Sequence, residues 1–396
     1  MKSKYALFAL LIFALTSLNA QETNAPKFGD GLLSLVGKDS SWAMKIGARV
    51  QFLGASNWEE QGDNTMSLFI RRARLKFGGY ALTPKLKYKI ELGLSNRDIG
   101  GASKYTNNAP RYILDAYVRW NFYQNFELQF GQAKLPGNRE RIISSANLQL
   151  VDRSRLNSIF TLDREFSLQL LHHFNISEQF KIKETFSLAQ GEGRNVTTGN
   201  QGGLEFTGRL ELFPFGDFKS NGEIVGADLK YEKTPKLALA IAYDYNSNAV
   251  KTRGNQGSYM DTDIGLFETD ISTLFIDAMF KYRGFSFMAE YANRKADQPF
   301  AKNEDDTLTG DSVQVGDALN FQTGYVLPSN WEVSARYTAI NLDEVVNTEN
   351  KENQYTVGVS KYIRGHKLKI QSDLSYLEIA NSNNEILYRL QFEIHF

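Results

Sequence analysis

Length, composition and charge exclude several classes of protein before any motif is considered. The chain has 396 residues, of which 42% are hydrophobic, with 27 Phe, 19 Tyr, 4 Trp and no Cys, and its 45 basic residues balance 45 acidic ones. Beyond the first segment there is no run of about eighteen apolar residues, so we expect no transmembrane helix. The zero net charge gives no information about partners.

The start of the chain has the composition of a secretory signal peptide. Lys2 and Lys4 precede an apolar run from Tyr5 to Leu15, and smaller residues then lead to Ala20. A basic start, a short apolar core and a small residue at the cut are the three parts of such a signal. We therefore predict export. Without Cys, an exported chain of this length needs stabilisation other than disulfides, and a closed hydrogen-bonded sheet supplies it.

Many segments after the signal alternate between apolar and polar side chains, which is the period of a β-strand. In residues 85–94 every even position is apolar, and the odd positions up to 91 carry Lys or Glu. The same alternation is found in residues 67–77, 112–121, 331–338, 367–376 and 386–396. Further strands are predicted to begin near Ala43, Asn125, Glu165, Lys181, Leu204, Leu237, Thr273, Phe285, Val315 and Tyr355.

The connections between these segments alternate between short and long, as they do in up-and-down membrane barrels. The longest polar links are residues 95–110, 247–270 and 293–314. Seventeen strand-like runs are present if Ile224–Tyr231 is counted, whereas bacterial single-chain barrels have even strand numbers. We therefore interpret residues 215–235 as an extended periplasmic turn and predict about 16 strands.

The predicted fold is an all-β transmembrane antiparallel barrel. Residues 1–20 are assigned to the signal peptide, 21–42 to an N-terminal periplasmic segment and 43–396 to the barrel. A soluble β-sandwich has the same period, but its core is too thin for all these strands to share.

One strand decides which face of the barrel wall meets lipid. In residues 67–77, Arg72, Arg74 and Lys76 alternate with apolar side chains. Each cation turned to lipid would cost roughly 2–4 kcal/mol at the midplane, so we place all three on the inner wall. Arg71 falls on the lipid-facing parity, and we expect it at the headgroup boundary, where a long side chain reaches water.

Residues 132–163 carry more apolar side chains than a solvated outer loop requires. Pro136 and Gly137 interrupt the preceding strand, and apolar residues such as Leu148 and Phe160 recur after them. Folding of this third loop into the barrel mouth would bury these residues and form a constriction. The alternative is a lid or a subunit contact made by the same residues. The basic residues of the segment are Lys134, Arg139, Arg141, Arg153 and Arg155.

A barrel of this predicted size encloses a water-filled channel, and Arg and Lys on its inner wall favour anions. The inner wall also carries acidic residues, which leaves an alternative in which opposite charges pair and only stiffen the wall. The candidate anion pathway comprises Arg72, Arg74, Lys76, Lys85, Lys87, Lys89, Arg119, Lys134, Arg139, Arg141, Arg153 and Arg155.

Two segments resemble the phosphate-selective porins O and P, in the form common in Bacteroidetes. They are FIRRARLKFGGYALTPKLKYKIEL (69–92) and ILDAYVRWNFYQNFELQFGQAKLPGNRERIISSANLQLVDRSRLN (113–157), with weaker support from FTGRLELFPFG (206–216). The resemblance implies a trimeric porin of the bacterial outer membrane, with sixteen strands and a third loop folded inward. It also implies that basic side chains guide phosphate-like anions.

Individual residues match the family's basic strand and loop, and the end of the chain matches a barrel signal. The resemblance carries an anion-contacting role to Arg72, Arg74, Arg139 and Arg141. The terminal YRLQFEIHF is similar to the signal that the barrel-assembly machinery reads. Its residues here are Tyr388, Phe392 and Phe396.

Three function classes fit the sequence to different degrees. The first is a passive channel favouring small anions such as phosphate. The second is a general or carbohydrate porin with weak ion selectivity. Sugar specificity usually needs an aromatic inner surface, and the inward positions offer little beyond Tyr117. The third is a barrel hydrolase, for which His173 near Ser167 is the one faint candidate. Expected partners are outer-membrane lipid, lipopolysaccharide, the barrel-assembly machinery, small anions and two further copies of the chain. We expect no cofactor, metal or nucleic acid.

Overall fold

The computed structural model describes residues 26–344, 346 and 351–396, which form an antiparallel β-barrel. The predicted signal peptide lies outside the described residues. The strands are β1 (Leu33–Val36), β2 (Trp42–Glu59), β3 (Thr65–Ala81), β4 (Thr83–Gly93), β5 (Ile113–Tyr123), β6 (Phe126–Lys134), β7 (Arg164–Asn175), β8 (Lys181–Ala189), β9 (Glu205–Phe213), β10 (Lys236–Ala249), β11 (Lys251–Arg253), β12 (Gln256–Tyr259), β13 (Thr269–Tyr282), β14 (Phe285–Ala296), β15 (Phe300–Lys302), β16 (Leu308–Ser312), β17 (Gly316–Val326), β18 (Trp331–Leu342), β19 (Lys351–Tyr362), β20 (Leu368–Ile379) and β21 (Glu385–His395).

Sixteen of these strands close the barrel, which confirms the predicted number. They are β2–β10, β13, β14 and β17–β21, and each pairs with its neighbour in chain order. Arg49–Glu59 of β2 pairs with Glu385–His395 of β21 and closes the ring. Because a closed ring has no free edge, its strands satisfy their backbone hydrogen bonds within lipid. The hairpins β11–β12 and β15–β16 lie in two outer loops.

β1 extends the wall below the end of β21. Leu33–Val36 pairs with Ala43–Ile46, the part of β2 that β21 does not reach. The amide of Phe396 donates to the carbonyl of Ala48, at the boundary between the two pairings. Part of the predicted N-terminal segment, residues 21–42, is therefore attached to the barrel wall.

The side chains of the wall alternate between lipid and lumen as predicted. Phe186 and Val333 point outward and are 61% and 60% exposed, whereas their chain neighbours Ser187 and Ser334 are buried. Among the described residues, no helix has the length and apolar character to cross a membrane.

A bulge in β3 reverses the expected side of Arg71. Gln51 of β2 pairs with Arg72 and the next residue, Phe52, pairs with Ile70, so Arg71 is the extra residue. A bulge leaves one residue unpaired and re-aims its side chain. Arg71 therefore points into the lumen, where its guanidinium donates to Asp152 at 2.8 Å. Its predicted place at the headgroup boundary is wrong.

A second bulge changes one position of β5. Glu91 pairs with Asp115 and Leu92 pairs with Ile113, which leaves Leu114 as the extra residue. Strict alternation predicts that Leu114 faces lipid, but it is buried and lines the lumen.

The segment between β9 and β10 is a long turn without a strand, as predicted. Its one short element among the described residues is a 3-10 turn at Gly222–Ile224. Phe218 and Ala227 are buried, and the amide of Gly226 donates to the carbonyl of Asn147 at 2.9 Å. This segment, residues 214–235, therefore reaches from the periplasmic end into the barrel and contacts the third loop.

The third loop, residues 135–163, folds into the barrel as predicted. It contains two short helices, α1 (Arg139–Ile142) and α2 (Arg155–Phe160). The hydroxyl of Ser154 accepts a hydrogen bond from the amide of Asn157 at 3.1 Å, which caps α2. The helices are positioned by packing, since helices this short are unstable by themselves.

One sector of the inner wall is apolar and receives the loop. Leu156 and Phe160 of α2 are fully buried in a cluster with wall residues of β10, β13, β14, β17 and β18. Half of these six wall residues are alanines, whose small size leaves room for the loop. They are Ala242, Phe275, Ala292, Ala318, Ile340 and Leu342. A lower cluster joins Ile143 and Leu148 of the loop to Met279, Met288 and Phe218.

We expect Phe160→Ala to release the outer part of the third loop. Loss of a fully buried phenyl ring costs about 3–5 kcal/mol in a core that cannot collapse. Thermal denaturation of the detergent-solubilised barrel should show a lower transition temperature, and single-channel currents should become noisier. Phe186→Ala, on the lipid-facing surface, is the matched control. Equal transition temperatures for the two variants would contradict the packing role of Phe160.

Candidate permeation pathway

A cavity of about 880 Å³ lies between the third loop and the wall of β3–β9, with β18–β21 completing its border. The described residues that line it include fifteen Arg and Lys against seven Asp and Glu, and Tyr117 is their one aromatic residue. The opposite side of the lumen is occupied by the third loop and residues 214–235. The aqueous space is therefore displaced to one side of the barrel.

The structure brings most of the predicted pathway residues to this cavity. Arg72, Arg74, Lys89, Arg119, Lys134, Arg141, Arg153 and Arg155 line it. Lys76 and Lys87 line a second space of about 490 Å³ at the periplasmic ends of β2–β5, which Lys89 and Arg119 also reach. Lys85 is exposed at the start of β4 and lines neither space.

Arg139 is predicted to be a pathway residue, but it lines neither of the two spaces. It is fully buried, and its guanidinium donates to Asp277 at 2.6 Å and to Glu211 at 2.9 Å. A third bond, at 3.0 Å, reaches the carbonyl of Glu223 in the periplasmic turn. Arg209 pairs with the same Asp277 at 2.7 Å. Arg139 thus joins the loop, the wall and the turn, and we interpret it as a brace.

Several lining cations are neutralised by carboxylates of the wall and of the outer loop between β4 and β5. Arg74 donates to both oxygens of Asp98, at 2.6 and 2.7 Å, and to Glu91 at 2.9 Å. Lys89 pairs with Glu91 at 3.0 Å and also contacts Asp115. Asp115 in turn accepts from Arg164 at 2.6 Å. This alternating network fixes the upper wall of β3–β7 and contributes little net charge.

Lys134 and Arg153 have a different environment. Lys134 donates to the carbonyls of Arg141, Ile142 and Ile143 at 2.6, 3.1 and 3.3 Å. Arg153 donates to the carbonyls of Glu140 and Ile143 at 2.8 and 2.7 Å. Within the described part of the chain, neither cation has a carboxylate at ion-pair distance. Their described partners are therefore carbonyl groups, which carry no net charge that would offset that of a cation.

The surroundings of Arg153 are strongly positive. Burial, followed by the guanidiniums of Arg141 and Arg72, lowers the pKa of Arg153 well below its ordinary value. A nearby anion would relieve this repulsion, because opposite charge favours the protonated form of a cation.

Asp152 of the third loop lies among three arginines. Its Oδ1 is 2.8 Å from Arg71 and 3.4 Å from Arg72, and its Oδ2 is 3.5 Å from Arg389. Although burial opposes ionisation, the guanidiniums of Arg71 and Arg72 hold the pKa of Asp152 well below its usual range. Arg336 binds the main-chain carbonyl of the same residue at 2.8 Å.

The end of the third loop is held by a second carboxylate. Asp163 contacts Arg141 and lies 3.4 Å from Arg164. Burial opposes its ionisation, but Arg141 and Arg164 lower the pKa of Asp163 below its usual range. The amide of Leu135 donates to the carbonyl of Asp163 at 3.1 Å, which brings the two ends of the loop together.

Seven lining cations lie outside the predicted pathway. Arg209, Arg336 and Arg389 occupy inward positions of the strand period, but sequence reasoning missed the other four. Strict alternation places Arg71 on the lipid-facing side, because it does not reveal the bulge. Arg164 is the first residue of β7, just before the predicted start of that strand. Arg97 and Arg194 lie in outer loops, where no period indicates direction. Arg97 lies over the ring of Phe69 at 5.6 Å, and Arg194 donates to the carbonyl of Asp98. No sequence signal identifies these two loop residues.

The geometry disfavours the hydrolase alternative. Ser167 and His173 are six residues apart on one strand, a separation of roughly 20 Å at about 3.3 Å per residue. The Ser167 hydroxyl accepts from Gln169 at 3.1 Å. Across residues 26–344, 346 and 351–396, no group of His, Asp and Glu has metal-ligand geometry.

Comparison with known proteins decides the family. The profile of the family described as phosphate-selective porin O and P matches residues 44–386, nearly the whole chain. The chain belongs to this family. The resemblance that the sequence suggested is therefore confirmed.

Solved structures agree with the fold. An anion-selective porin from Comamonas acidovorans has a TM-score of 0.56 and 12% identity, with coverage of 90% of this chain and 100% of that one. OmpF of Salmonella typhi, in complex with daunomycin, has a TM-score of 0.56 and 10% identity, covering 91% and 100%. An uncharacterized protein of Aquifex aeolicus is 22% identical over 358 residues, 83% of this chain and 80% of that protein.

Family and fold together make this porin a diffusion channel of the bacterial outer membrane. They indicate a channel rather than an enzyme. The eccentric cavity, bounded on one side by the third loop, is its candidate permeation pathway.

We expect the ion pairs of Asp163 to stabilise this porin at all pH values above about 4, the ordinary aspartate range. A depressed folded pKa contributes stability above the unfolded pKa, and that stability is lost as the pH falls through the folded pKa. Asp163→Asn should therefore lower the free energy of unfolding by about 1–3 kcal/mol at neutral pH.

Thermal denaturation of wild type and Asp163→Asn from pH 8 to pH 2 measures this effect. The difference in transition temperature should be constant at the alkaline end and shrink only in strong acid. A difference that already disappears between pH 8 and pH 6 would contradict a carboxylate origin and indicate a histidine.

Proposed function

We propose that this porin favours the passage of small oxyanions such as phosphate over cations. The observation that carries the proposal is the lining of the cavity, where Arg and Lys outnumber Asp and Glu by fifteen to seven. The alternative of a fully paired wall accounts for Arg74 and Lys89 but not for Lys134 and Arg153, whose described partners are carbonyl oxygens.

The proposed route runs down one side of the barrel. Arg97 and Arg194 border the cavity at the outer loops, Lys134 and Arg153 border it beside the third loop, and Lys87 lies at the periplasmic end. A singly charged anion 4 Å from one cation gains about 4 kcal/mol at an effective dielectric constant near 20. Several such positions in series transfer an anion without trapping it, as conduction requires.

The charge pattern favours an anion over a sugar. A carbohydrate channel needs aromatic surfaces for the sugar rings, whereas Tyr117 is the one aromatic residue among the described residues of the cavity lining. The guanidinium of Arg119 lies 5.7 Å from the centre of the Tyr117 ring and covers part of it. General diffusion of small neutral solutes remains compatible with the cavity and is the second candidate function.

The proposed assembly is the homotrimer that the family resemblance implies. Tyr388 and Phe392 of β21 and the terminal Phe396 are 39–40% exposed, at the outer surface and the periplasmic end of the barrel. These three residues are the proposed signal for the barrel-assembly machinery. Lipid and lipopolysaccharide are the proposed surroundings of the outer wall and outer loops.

The direct test is the reversal potential of the purified porin in planar bilayers with a KCl gradient. We expect the sign that corresponds to chloride selectivity, and we expect added phosphate to reduce the chloride current because the two anions share the lining cations. A reversal potential of the opposite sign would overturn the anion proposal. A chloride current that added phosphate leaves unchanged would contradict phosphate as a permeating anion.

We expect Arg153→Gln to lower the ratio of chloride to potassium permeability about threefold to tenfold. Where water fills the space between ion and side chain, the loss of one cation removes only about 1 kcal/mol of attraction, the lower end of the range between water and protein. Lys38→Gln is the control, because it removes an equal charge from an exposed turn outside the barrel lumen. Equal permeability ratios for the two variants would show that Arg153 does not contact the permeating ion.

A further inference from the structure

We propose that Arg71 and Arg72 form an oxyanion-binding site that Asp152 occupies in the resting pore, and that a permeating phosphate displaces this carboxylate. The inference rests on the proposed function, because it requires anions to pass through the cavity. It adds a binding site with an internal competitor, which neither the fold nor the family assigns.

The site owes its shape to the bulge in β3. Adjacent residues of a regular strand face opposite sides, so two neighbouring arginines cannot both enter the lumen. The extra residue at Arg71 removes this restriction. Both guanidiniums then meet the same oxygen of Asp152, at 2.8 and 3.4 Å. Two guanidinium groups directed at the same point form an arrangement that binds the oxygens of a carboxylate or a phosphate.

Asp152 differs from the carboxylates that brace the wall. Its side chain is 22% exposed, whereas those of Glu91, Asp115 and Asp373 are at most 5% exposed. It also lines the cavity together with both arginines. An anion in the cavity can therefore reach the pair without the loop leaving the wall.

The main chain around Asp152 is held independently of its carboxylate. Arg336 binds its carbonyl at 2.8 Å, and the amide of Val151 donates to Asp373 at 2.9 Å. Displacement thus requires rotation of one side chain only. The released carboxylate stays tethered beside the site, so it competes at a high effective concentration and weakens the apparent affinity for the external anion.

The partners of Asp152 also favour exchange. Its Oδ2 has one described neighbour, Arg389 at 3.5 Å, and Arg389 is already bound to both oxygens of Asp373 at 2.7 and 3.0 Å. A tetrahedral oxyanion has more acceptor oxygens than a carboxylate. It can therefore satisfy Arg71 and Arg72 with separate oxygens instead of a shared one.

The experiment measures how much phosphate halves the chloride conductance of single pores. Asp152→Asn removes the internal competitor and should lower the half-blocking phosphate concentration about tenfold, the effect of one charge-assisted hydrogen-bonded contact. Glu385→Gln is the matched control. Glu385 lines the same cavity, and the described residues show no ion pair with it, so its loss changes the cavity charge equally without vacating a site.

The outcomes separate this inference from the proposed function. If Asp152→Asn and Glu385→Gln shift the half-blocking concentration equally, the tethered-carboxylate site is refuted while an anion-selective wild type still supports the function. A cation-selective wild type refutes the function itself. The double variant Arg71→Gln, Asp152→Asn lacks both the competitor and half of the site. Its half-blocking phosphate concentration should therefore return to the wild-type value or exceed it.

A second variant keeps the inference testable if Asp152→Asn does not fold. Arg71→Gln in the otherwise unchanged chain removes half of the site and leaves the main-chain anchors of residue 152 in place. It should raise the half-blocking phosphate concentration by about threefold or more. An unchanged value in a correctly folded Arg71→Gln porin would overturn the site.

Discussion

The third loop stays inside the barrel because one sector of the inner wall is apolar and lined with alanines. Leu156 and Phe160 are fully buried against that sector, and burial of apolar side chains of this size contributes about 1.5–3 kcal/mol each. Most of the loop's charged residues line the cavity on its other side, namely Arg141, Asp152, Arg153, Arg155 and Asp163. Burial of the loop's apolar side therefore determines where the aqueous space lies and which cations border it.

The electrostatic organisation follows from this displacement. Cations that face carboxylates form closed networks, such as that of Arg74 with Asp98 and Glu91. Lys134 and Arg153 instead face carbonyl groups of the loop, and carbonyl oxygens stabilise a cation by hydrogen bonding without cancelling its charge. A protein with equal numbers of acidic and basic residues can thus present a positive passage. Its net charge is uninformative because the pairing is local.

The periplasmic turn between β9 and β10 contributes to the same arrangement. It meets the third loop through Arg139, whose guanidinium binds Glu223 of the turn and Asp277 of the wall. Lys281 of β13 donates to the carbonyls of Val225 and Ala227 at 2.8 Å. The half of the lumen opposite the cavity is therefore filled from both ends, and the charged side chains there serve to hold it.

The sequence by itself determined the barrel, the strand number, the inward third loop and most of the basic lining. The barrel and its lining follow from the two-residue period of a strand and from the cost of charges in lipid. The strand number also uses the even count of bacterial barrels, and the inward loop follows from its excess of apolar side chains. These are properties of each segment's own sequence. Arg72 and Arg74 could be assigned to the lumen in this way. Only the tertiary structure decided the rest. The bulge that turns Arg71 inward depends on the register between β2 and β3, and the pairing of Arg139 with Asp277 joins residues 138 positions apart. Periodicity contains no information on such partners, because they are selected by packing between segments that meet only in the closed barrel.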